Sequence, residues 1–237
     1  MPKNATVIHF CVFLRHKQKH HYMKKFITIA ALFATLLLSF KAQAQLSIKA
    51  GYAGEFVSID TIAEGKKGTN YFDGYYFGLN WRFNVTERID LSIGAQYRTL
   101  LGEHSEHYYY LPIQGFVHHY TKERQSLIDI PIMLGYAIPL GQKVTLSPFV
   151  GPMFSFAVSG STHEEWSYPF NTQSDEDWYG DNGTRKRFNL YAMAGLTARF
   201  GHVNLTGCYR YGLLELSTRE AFSIKASGFS VALGYEF

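Results

Sequence analysis

Large apolar residues alternate with small or polar ones along most of this chain, and that period of two limits the fold more than any other feature. The carboxy-terminal segment shows it most simply, because every second residue is large and apolar: Phe229, Val231, Leu233, Tyr235 and Phe237. Seven further segments between residues 46 and 213 repeat the pattern and are separated by turn-forming residues. Such alternation predicts β-strands with one apolar face, and no amphipathic helix of useful length is expected.

The connections between the eight segments alternate in length. Those after the second, fourth and sixth segments are tight, whereas the others are long, at roughly 58–72, 102–124, 160–186 and 215–222. The predicted strands have about 12–16 residues, and a tilted strand needs about 9–11 to cross a bilayer. Short turns at one end and long loops at the other are typical of bacterial outer-membrane proteins. We therefore predict an all-β fold, a closed antiparallel eight-stranded transmembrane β-barrel with short periplasmic turns and long extracellular loops.

The first 44 residues differ in chemistry from the rest. They contain seven Lys or Arg residues and no acid, which leaves residues 45–237 with a net charge of −3 and gives no reason to expect nucleic-acid binding. Met23-Lys24-Lys25 precedes an apolar run of 15 residues and an Ala-x-Ala motif at 42–44. This order predicts a signal peptide at 23–44, cleaved near Ala44, because a spanning helix needs about 20 apolar residues.

Residues 1–22 fit no part of the signal-peptide pattern. We interpret them as a mis-called N-terminal extension before a true start at Met23, the alternative being an unusually long charged region. The barrel domain is then residues 45–237, and export would place it in the outer membrane.

The polar faces of the predicted strands carry charges of both signs. Barrels of this strand number have interiors filled by side chains, so we expect no diffusion channel and a lumen in which the charges pair. The predicted lumen charge network consists of Lys49, Glu55, Arg82, Asp90, Arg98, Asp129, Arg199, Arg210 and Glu236.

Aromatic residues crowd the strand ends on the apolar face. They include Tyr52, Phe56, Tyr75, Phe83, Tyr97, Phe156, Phe188, Phe200, Tyr211 and Phe237. Rings of this kind belong at a lipid–water interface, so outer-membrane lipid and lipopolysaccharide are the expected surroundings.

Three prolines conflict with continuous strands. Because proline cannot donate to a ladder, bulges or strand ends are expected at Pro131, Pro148 and Pro152.

Two segments resemble a known family. Ser126-Leu-Ile-Asp-Ile-Pro-Ile-Met-Leu-Gly-Tyr136 and Ser147-Pro-Phe-Val-Gly-Pro152 are similar to paired strands of the PorT-like outer-membrane β-barrel family of Gram-negative bacteria. The chain departs from that pattern at Gly135, where the family often has Lys. The terminal strand, with Phe229, Val231, Leu233, Tyr235 and Phe237, also resembles the signal that barrel-assembly machinery recognises during insertion. The resemblance implies fold and location, and the secretion role of the founding member cannot be transferred from these residues.

The candidate catalytic and metal-binding residues lie mostly in predicted loops, where solvated side chains are the simpler interpretation. Glu103-His104-Ser105-Glu106-His107 has metal donors but no recognised spacing, and the acidic stretch around 164–181 lacks the spacing of a calcium loop. His118 or His119 could activate Ser105 or Ser126, as in the active site of a lipid A deacylase, but the spacing of these residues matches no catalytic motif. We expect no catalytic residue, no metal and no cofactor.

The predicted function is that of an integral outer-membrane protein with a structural or surface-binding role. Aromatic residues in the predicted loops suit an unidentified surface ligand: Tyr108, Tyr109, Tyr110, Trp166, Trp178 and Tyr179. The alternatives are a lipid-modifying hydrolase and an accessory component of a protein secretion system.

Overall fold

The computed structural model describes residues 45–61, 66–110, 115–141, 143–167, 172–179 and 183–237. The predicted extension and signal peptide, residues 1–44, lie outside the described residues, as does the cleavage site near Ala44. The described residues contain ten strands: β1 Gln45–Thr61, β2 Lys66–Asn84, β3 Ile89–Tyr110, β4 Gly115–Tyr136, β5 Ile138–Pro139, β6 Val144–Trp166, β7 Thr172–Asp177, β8 Phe188–Phe200, β9 Val203–Gly212 and β10 Phe222–Glu236.

Eight of these strands form a closed antiparallel ring. The first and last strands pair along nearly their whole length, from Ser47 opposite Glu236 to Thr61 opposite Phe222. On the other side, β4 pairs with β6, and the remaining neighbours follow chain order. Closure pairs the backbone groups that an open sheet would leave at its edges. The predicted eight-stranded barrel is confirmed.

The barrel has its apolar side chains outside and its polar side chains inside. Phe77 and Leu233 are 62% and 63% exposed, whereas Arg98 inside the ring is fully buried. This distribution is the reverse of a water-soluble domain and matches a barrel with an apolar belt in lipid. Within the described residues, no helix is long and apolar enough to cross a membrane.

Aromatic side chains mark the belt near its two rims. Near the end with long connections, Tyr52 packs against Tyr75 and Phe229, and Phe156 packs against Phe188. Near the end with short turns, Tyr235 packs against Phe237. The belt therefore covers the lower part of the long strands and leaves their upper part outside it.

The strands run further than the alternation predicts. Much of the predicted loops at 102–124 and 160–186 is paired, because β3, β4, β6 and β7 continue above the belt as a four-stranded sheet. We call this part the upper sheet; it comprises residues 102–110, 115–125, 160–166 and 172–177. Its loops are correspondingly shorter than predicted.

One residue is inserted where β6 enters the upper sheet. The pairing with β4 shifts between Ser126, which lies opposite Ser159, and Leu127, which lies opposite Ala157. Val158 and Ser159 consequently both face outward. Below this β-bulge the odd-numbered residues of β6 point inward, and above it the even-numbered ones do.

The expectation of bulges or strand ends at the three prolines is wrong. Pro131 lies inside β4, and Pro148 and Pro152 lie inside β6, while the register shift is at Val158. The β3–β4 register has the same offset on both sides of Pro131, although Gly94 and Pro131 themselves are not paired. Pro131 points into the lumen over Gly94, where a Cβ would lie 2.9 Å from Cγ of the ring. The strand thus continues past the proline with a local gap in its ladder.

Candidate functional site

The centre of the lumen is occupied by a buried arginine between two carboxylates. Arg98 on β3 is fully buried; its Nε donates to Oδ2 of Asp129 over 2.8 Å and its Nη1 donates to Glu55. The hydroxyl of Ser155 donates to Asp129 over 2.5 Å, and that of Tyr191 donates to Glu55 over 3.4 Å. The strand alternation places these groups inside, and their pairing makes burial of the charges tolerable.

The remaining charges of the predicted network also face the lumen. Arg199 donates to Asp90 over 2.9 Å, and Arg82 pairs with Glu236. Lys49 donates to the hydroxyl of Thr206 over 3.3 Å.

Arg210 is the member of the predicted network that bonds to the backbone. It donates to the carbonyls of Gly54 and Phe229 over 3.5 and 3.3 Å. The interior around these charges is densely filled: the cavities beside Lys49 and beside Glu55 each have a volume of about 20 Å³, the space of one water molecule.

A segment after β7 folds into the mouth of the barrel. Trp178 is buried there, and its Nε1 donates to the hydroxyl of Thr162 over 2.6 Å. The Arg185 guanidinium lies 3.6 Å from the centre of the Trp178 ring. Arg187 lies 5.0 Å from the ring of Tyr179, which accepts a bond from Gln125 over 2.6 Å. We call the described residues 178–179 and 183–187 the lid.

The lid is also held by the connection between β9 and β10. Arg185 forms an isolated bridge with Ser217, and the amide of Lys186 donates to the carbonyl of Leu216 over 2.7 Å. In that connection Glu215 accepts bonds from the hydroxyl of Ser223 and the amide of Ile224. These bonds join two loops across the mouth.

A pocket of about 380 Å³ lies above the lid, against the inner face of the upper sheet. Its walls come from five strands and its floor from the lid. The lining residues are Asn70, His104, His119, Thr121, Glu123, Thr162, Glu164, Glu176, Trp178, Thr184 and Arg185. We call it the mouth pocket. Because it lies above the apolar belt, it faces solvent rather than lipid.

Two charged groups at the bottom of the mouth pocket are buried. Nη2 of Arg185 lies 3.4 Å from Oε1 of Glu123, and both side chains are less than one-tenth exposed. Burial raises the pKa of Glu123, opposed by the nearby Arg185, and burial lowers the pKa of Arg185. The other carboxylate oxygen, Oε2 of Glu123, lies 3.8 Å from Nε2 of His104. Neither of these two atoms has a hydrogen-bond partner among the described residues, although Thr162 and Asn70 lie near the Glu123 carboxylate and oppose the rise of its pKa.

The residues considered for a deacylase are divided between the two faces of the sheet. His119 stacks on Trp166 with ring centres 3.9 Å apart and faces the mouth pocket. Ser105 is paired with Tyr120 and therefore lies on the opposite face of the sheet from His119. His118, two residues from Tyr120, lies on the same outer face as Ser105. Ser126 accepts the hydroxyl hydrogen bond of Tyr97 over 3.0 Å, seven residues along the strand from His119.

Metal donors are not grouped in the described part of the chain. No cluster of three or more His, Cys, Asp or Glu side chains there could hold a metal ion. The side chains of Glu106, His107 and Asp181 lie outside the described residues. His163 lies on the outer face of the upper sheet between Asp175 and Glu165, at 2.7 and 3.1 Å.

Sequence comparison identifies the family of this barrel. A model described as the outer membrane protein beta-barrel domain matches residues 29–237. The chain belongs to this family. No curated protein matches it.

Solved structures similar to this outer-membrane barrel share little sequence with it. Ail of Yersinia pestis, in complex with the heparin analogue sucrose octasulfate, is 15% identical, with a TM-score of 0.43 over 82% of this chain and 99% of that one. OprG from Pseudomonas aeruginosa is 12% identical, with a TM-score of 0.42 over 83% and 97%. Neisserial surface protein A is 13% identical, with a TM-score of 0.41 over 81% and 97%.

Sequence reasoning missed the lid and the mouth pocket. The predicted loop at 160–186 contains a paired strand and the two buried aromatic residues Trp178 and Tyr179. The available signal was an aromatic pair within an acidic, aperiodic segment. Large aromatic side chains in such a segment gain most by packing against another part of the fold.

Proposed function

We propose that this protein is a non-catalytic, integral outer-membrane barrel that binds a ligand at the cell surface through its upper sheet and mouth pocket. The observation that supports this most is the packed lumen beneath a pocket that opens away from the membrane. A filled interior offers no path for transport. The pocket, in contrast, is concave and combines charged, polar and aromatic groups, as ligand-binding sites do.

The proposed orientation places the upper sheet outside the cell. Both ends of the described chain, Gln45 and Phe237, lie at the rim with short turns. A chain inserted from the periplasm leaves its ends and its short turns on the periplasmic side. Residues 45–237 would then be the mature protein after cleavage near Ala44, surrounded by outer-membrane lipid and lipopolysaccharide.

We also propose that the terminal strand is the signal read by barrel-assembly machinery. Phe237 is 65% exposed on the lipid-facing side, while its amide donates to the carbonyl of Leu46 over 2.9 Å. The last residue thus closes the seam of the barrel with its backbone and presents an exposed ring for recognition.

Two alternatives to a binding role are a secretion accessory, which the PorT-like resemblance suggests, and a lipid A hydrolase. The hydrolase needs a serine beside a histidine. Ser105 and His119 lie on opposite faces of the sheet, whereas Ser105 and His118 share the outer face, so His118 is the histidine that could act on Ser105. Mass spectrometry of lipid A from cells with and without the gene tests the hydrolase: an acyl-chain change that requires His118 or His119 would establish it.

The binding proposal is tested by shortening the upper sheet. Glu103 lies opposite Lys122, so residues 104–121 can be replaced by an Asn-Gly turn that suits a two-residue hairpin. The full-length and shortened proteins, folded in detergent, are compared for heat-dependent gel mobility and for binding to an array of glycans, amines and peptides. We expect both to fold and only the full-length protein to bind. Equal binding by both, or none by either, would contradict the proposal.

A further inference from the structure

The mouth pocket has an excess of negative charge. Its lining includes three carboxylates, Glu123, Glu164 and Glu176, and one guanidinium, that of Arg185. The guanidinium is already occupied, because it stacks on Trp178 and pairs with Oε1 of Glu123. With neutral imidazoles the described lining carries a net charge of −2, which favours a cation as ligand.

Two buried polar atoms in the same pocket have no hydrogen-bond partner in the described part of the chain. The Glu123 side chain is only 8% exposed, and its Oε2 is directed at Nε2 of His104 across 3.8 Å. This gap is too long for a hydrogen bond between them. Buried polar atoms are nearly always bonded, so a pair of them facing one gap indicates a missing hydrogen-bond donor.

A primary ammonium group would account for both the negative charge of the pocket and its two unbonded polar atoms. It is a compact cation with three N–H donors and no acceptor. A single nitrogen can lie about 2.8 Å from each of two acceptors that are 3.8 Å apart, which is normal hydrogen-bond distance. His104 would accept through Nε2 as the neutral ring, and Glu164 lies on the same inner face. A guanidinium is larger and planar, and a quaternary ammonium has no N–H donor.

We propose that the mouth pocket binds primary amines, with one ammonium group held between Glu123 and His104 and the rest of the ligand near Glu164 and Glu176. The source of the amine is either a free polyamine or a lysine side chain of a polypeptide. This inference rests on the proposed surface-binding function and names the ligand class of its site.

The test is calorimetry on the full chain folded in detergent at physiological ionic strength. The probes are spermidine, a capped tripeptide with a central lysine, and choline, which carries a positive charge without an N–H donor. Spermidine or the lysine peptide is expected to bind, and the tighter of the two identifies the source. Choline is expected to bind at least about tenfold more weakly, because a charge-assisted hydrogen bond is lost.

Two adjacent residues on β6 supply matched variants. Glu164 faces the pocket, whereas Glu165 faces outward and bonds to His163 and Gln173; they are 40% and 47% exposed. Glu164→Gln and Glu165→Gln therefore remove the same charge from opposite faces. We expect Glu164→Gln to weaken the affinity for spermidine about fivefold and Glu165→Gln to leave that affinity unchanged. Glu123→Gln should abolish spermidine binding. If this variant also loosens the lid, the comparison of Glu164→Gln with Glu165→Gln still tests the proposal.

Several results would overturn the inference. They are the absence of amine binding, equal affinity for choline, equal loss in the two β6 variants, and displacement of spermidine by Mg²⁺ at far lower concentration, which would indicate a divalent-cation site. If the full-length protein binds no amine but binds another probe that the shortened protein does not bind, the surface-binding function is supported and only the amine inference is wrong.

Discussion

Nε of Arg98 donates to Oδ2 of Asp129 over 2.8 Å at a point of the lumen where the arginine has no exposed surface. Glu55 contacts the other side of the guanidinium, so one cation compensates two anions. In this position the arginine is the centre of the packed lumen, and the free energy of unfolding should depend on it strongly.

Replacing Arg98 by methionine should destabilise the barrel by about 3–5 kcal/mol, because it leaves two buried carboxylates uncompensated. The measurement is urea unfolding in lipid vesicles. Arg124→Met is the control, since Arg124 is exposed on the neighbouring strand. Adding Glu55→Gln and Asp129→Asn to Arg98→Met should recover part of the loss, and no recovery would contradict the charge-pairing explanation.

Gly74 should not tolerate a side chain. A Cβ there would lie 1.9 Å from the carbonyl oxygen of Thr99, whereas a Cβ at Gly207 would meet nothing within 4 Å. Gly74→Ala is expected to cost about 1–3 kcal/mol through overpacking of the lumen, with Gly207→Ala close to neutral. Unfolding midpoints compare the two, and equal midpoints would show that the strands move apart without cost.

The lid should loosen independently of the barrel. Trp178→Ala removes a buried ring, its bond to Thr162 and the surface on which Arg185 stacks. Hydrogen exchange followed by mass spectrometry should show faster exchange in peptides covering 178–187, with unchanged protection in peptides of β9 and β10. Faster exchange throughout would mean that the lid supports the whole fold.

The hairpin of β6 and β7 should be more stable in acid than in base. Hydrogen bonds to Asp175 and Glu165 raise the pKa of His163. A raised pKa means that the stabilisation is fully present below the ordinary histidine pKa and is lost as the pH rises through the raised value. Exchange protection of the β7 amides, corrected for intrinsic rates, should therefore fall across that range. His163→Gln should remove the pH dependence.

Phe237 should matter for assembly more than for stability. Phe237→Ala keeps the amide bond to Leu46 and removes the exposed ring. We expect less protein in outer-membrane fractions, with normal refolding of the purified variant in detergent. Phe77→Ala is the matched control because Phe77 is similarly exposed, at 62% against 65%, far from the terminus. Equal amounts of the two variants would refute an assembly role.

The barrel itself was predictable because lipid outside and polar side chains inside force a strict period of two. Residues such as Leu233 and Phe77 on one face, against Gly234 and Gly78 on the other, reveal it directly. The upper sheet was not predictable in the same way. Both of its faces are polar, as in the segment 119–125, so its strands show no contrast between faces.

The lid and the mouth pocket depend on contacts between residues far apart in the chain. Trp178 reaches Thr162, and Arg185 reaches Glu123 and Ser217. No local sequence pattern specifies these contacts, because they form only when the ring of strands closes. The sequence could therefore name the charged and aromatic residues, but it could not show which of them share a pocket.

The inserted residue at Val158 separates the length of β6 from the choice of its pocket-facing side chains. Val158 and Ser159 occupy two successive outward positions, so Thr162 and Glu164 face the pocket above the bulge. Deleting the codon for Val158 would restore strict alternation, and Thr162 and Glu164 would still face the pocket. The strand can therefore gain or lose one residue here during evolution without altering the set of side chains offered to a ligand.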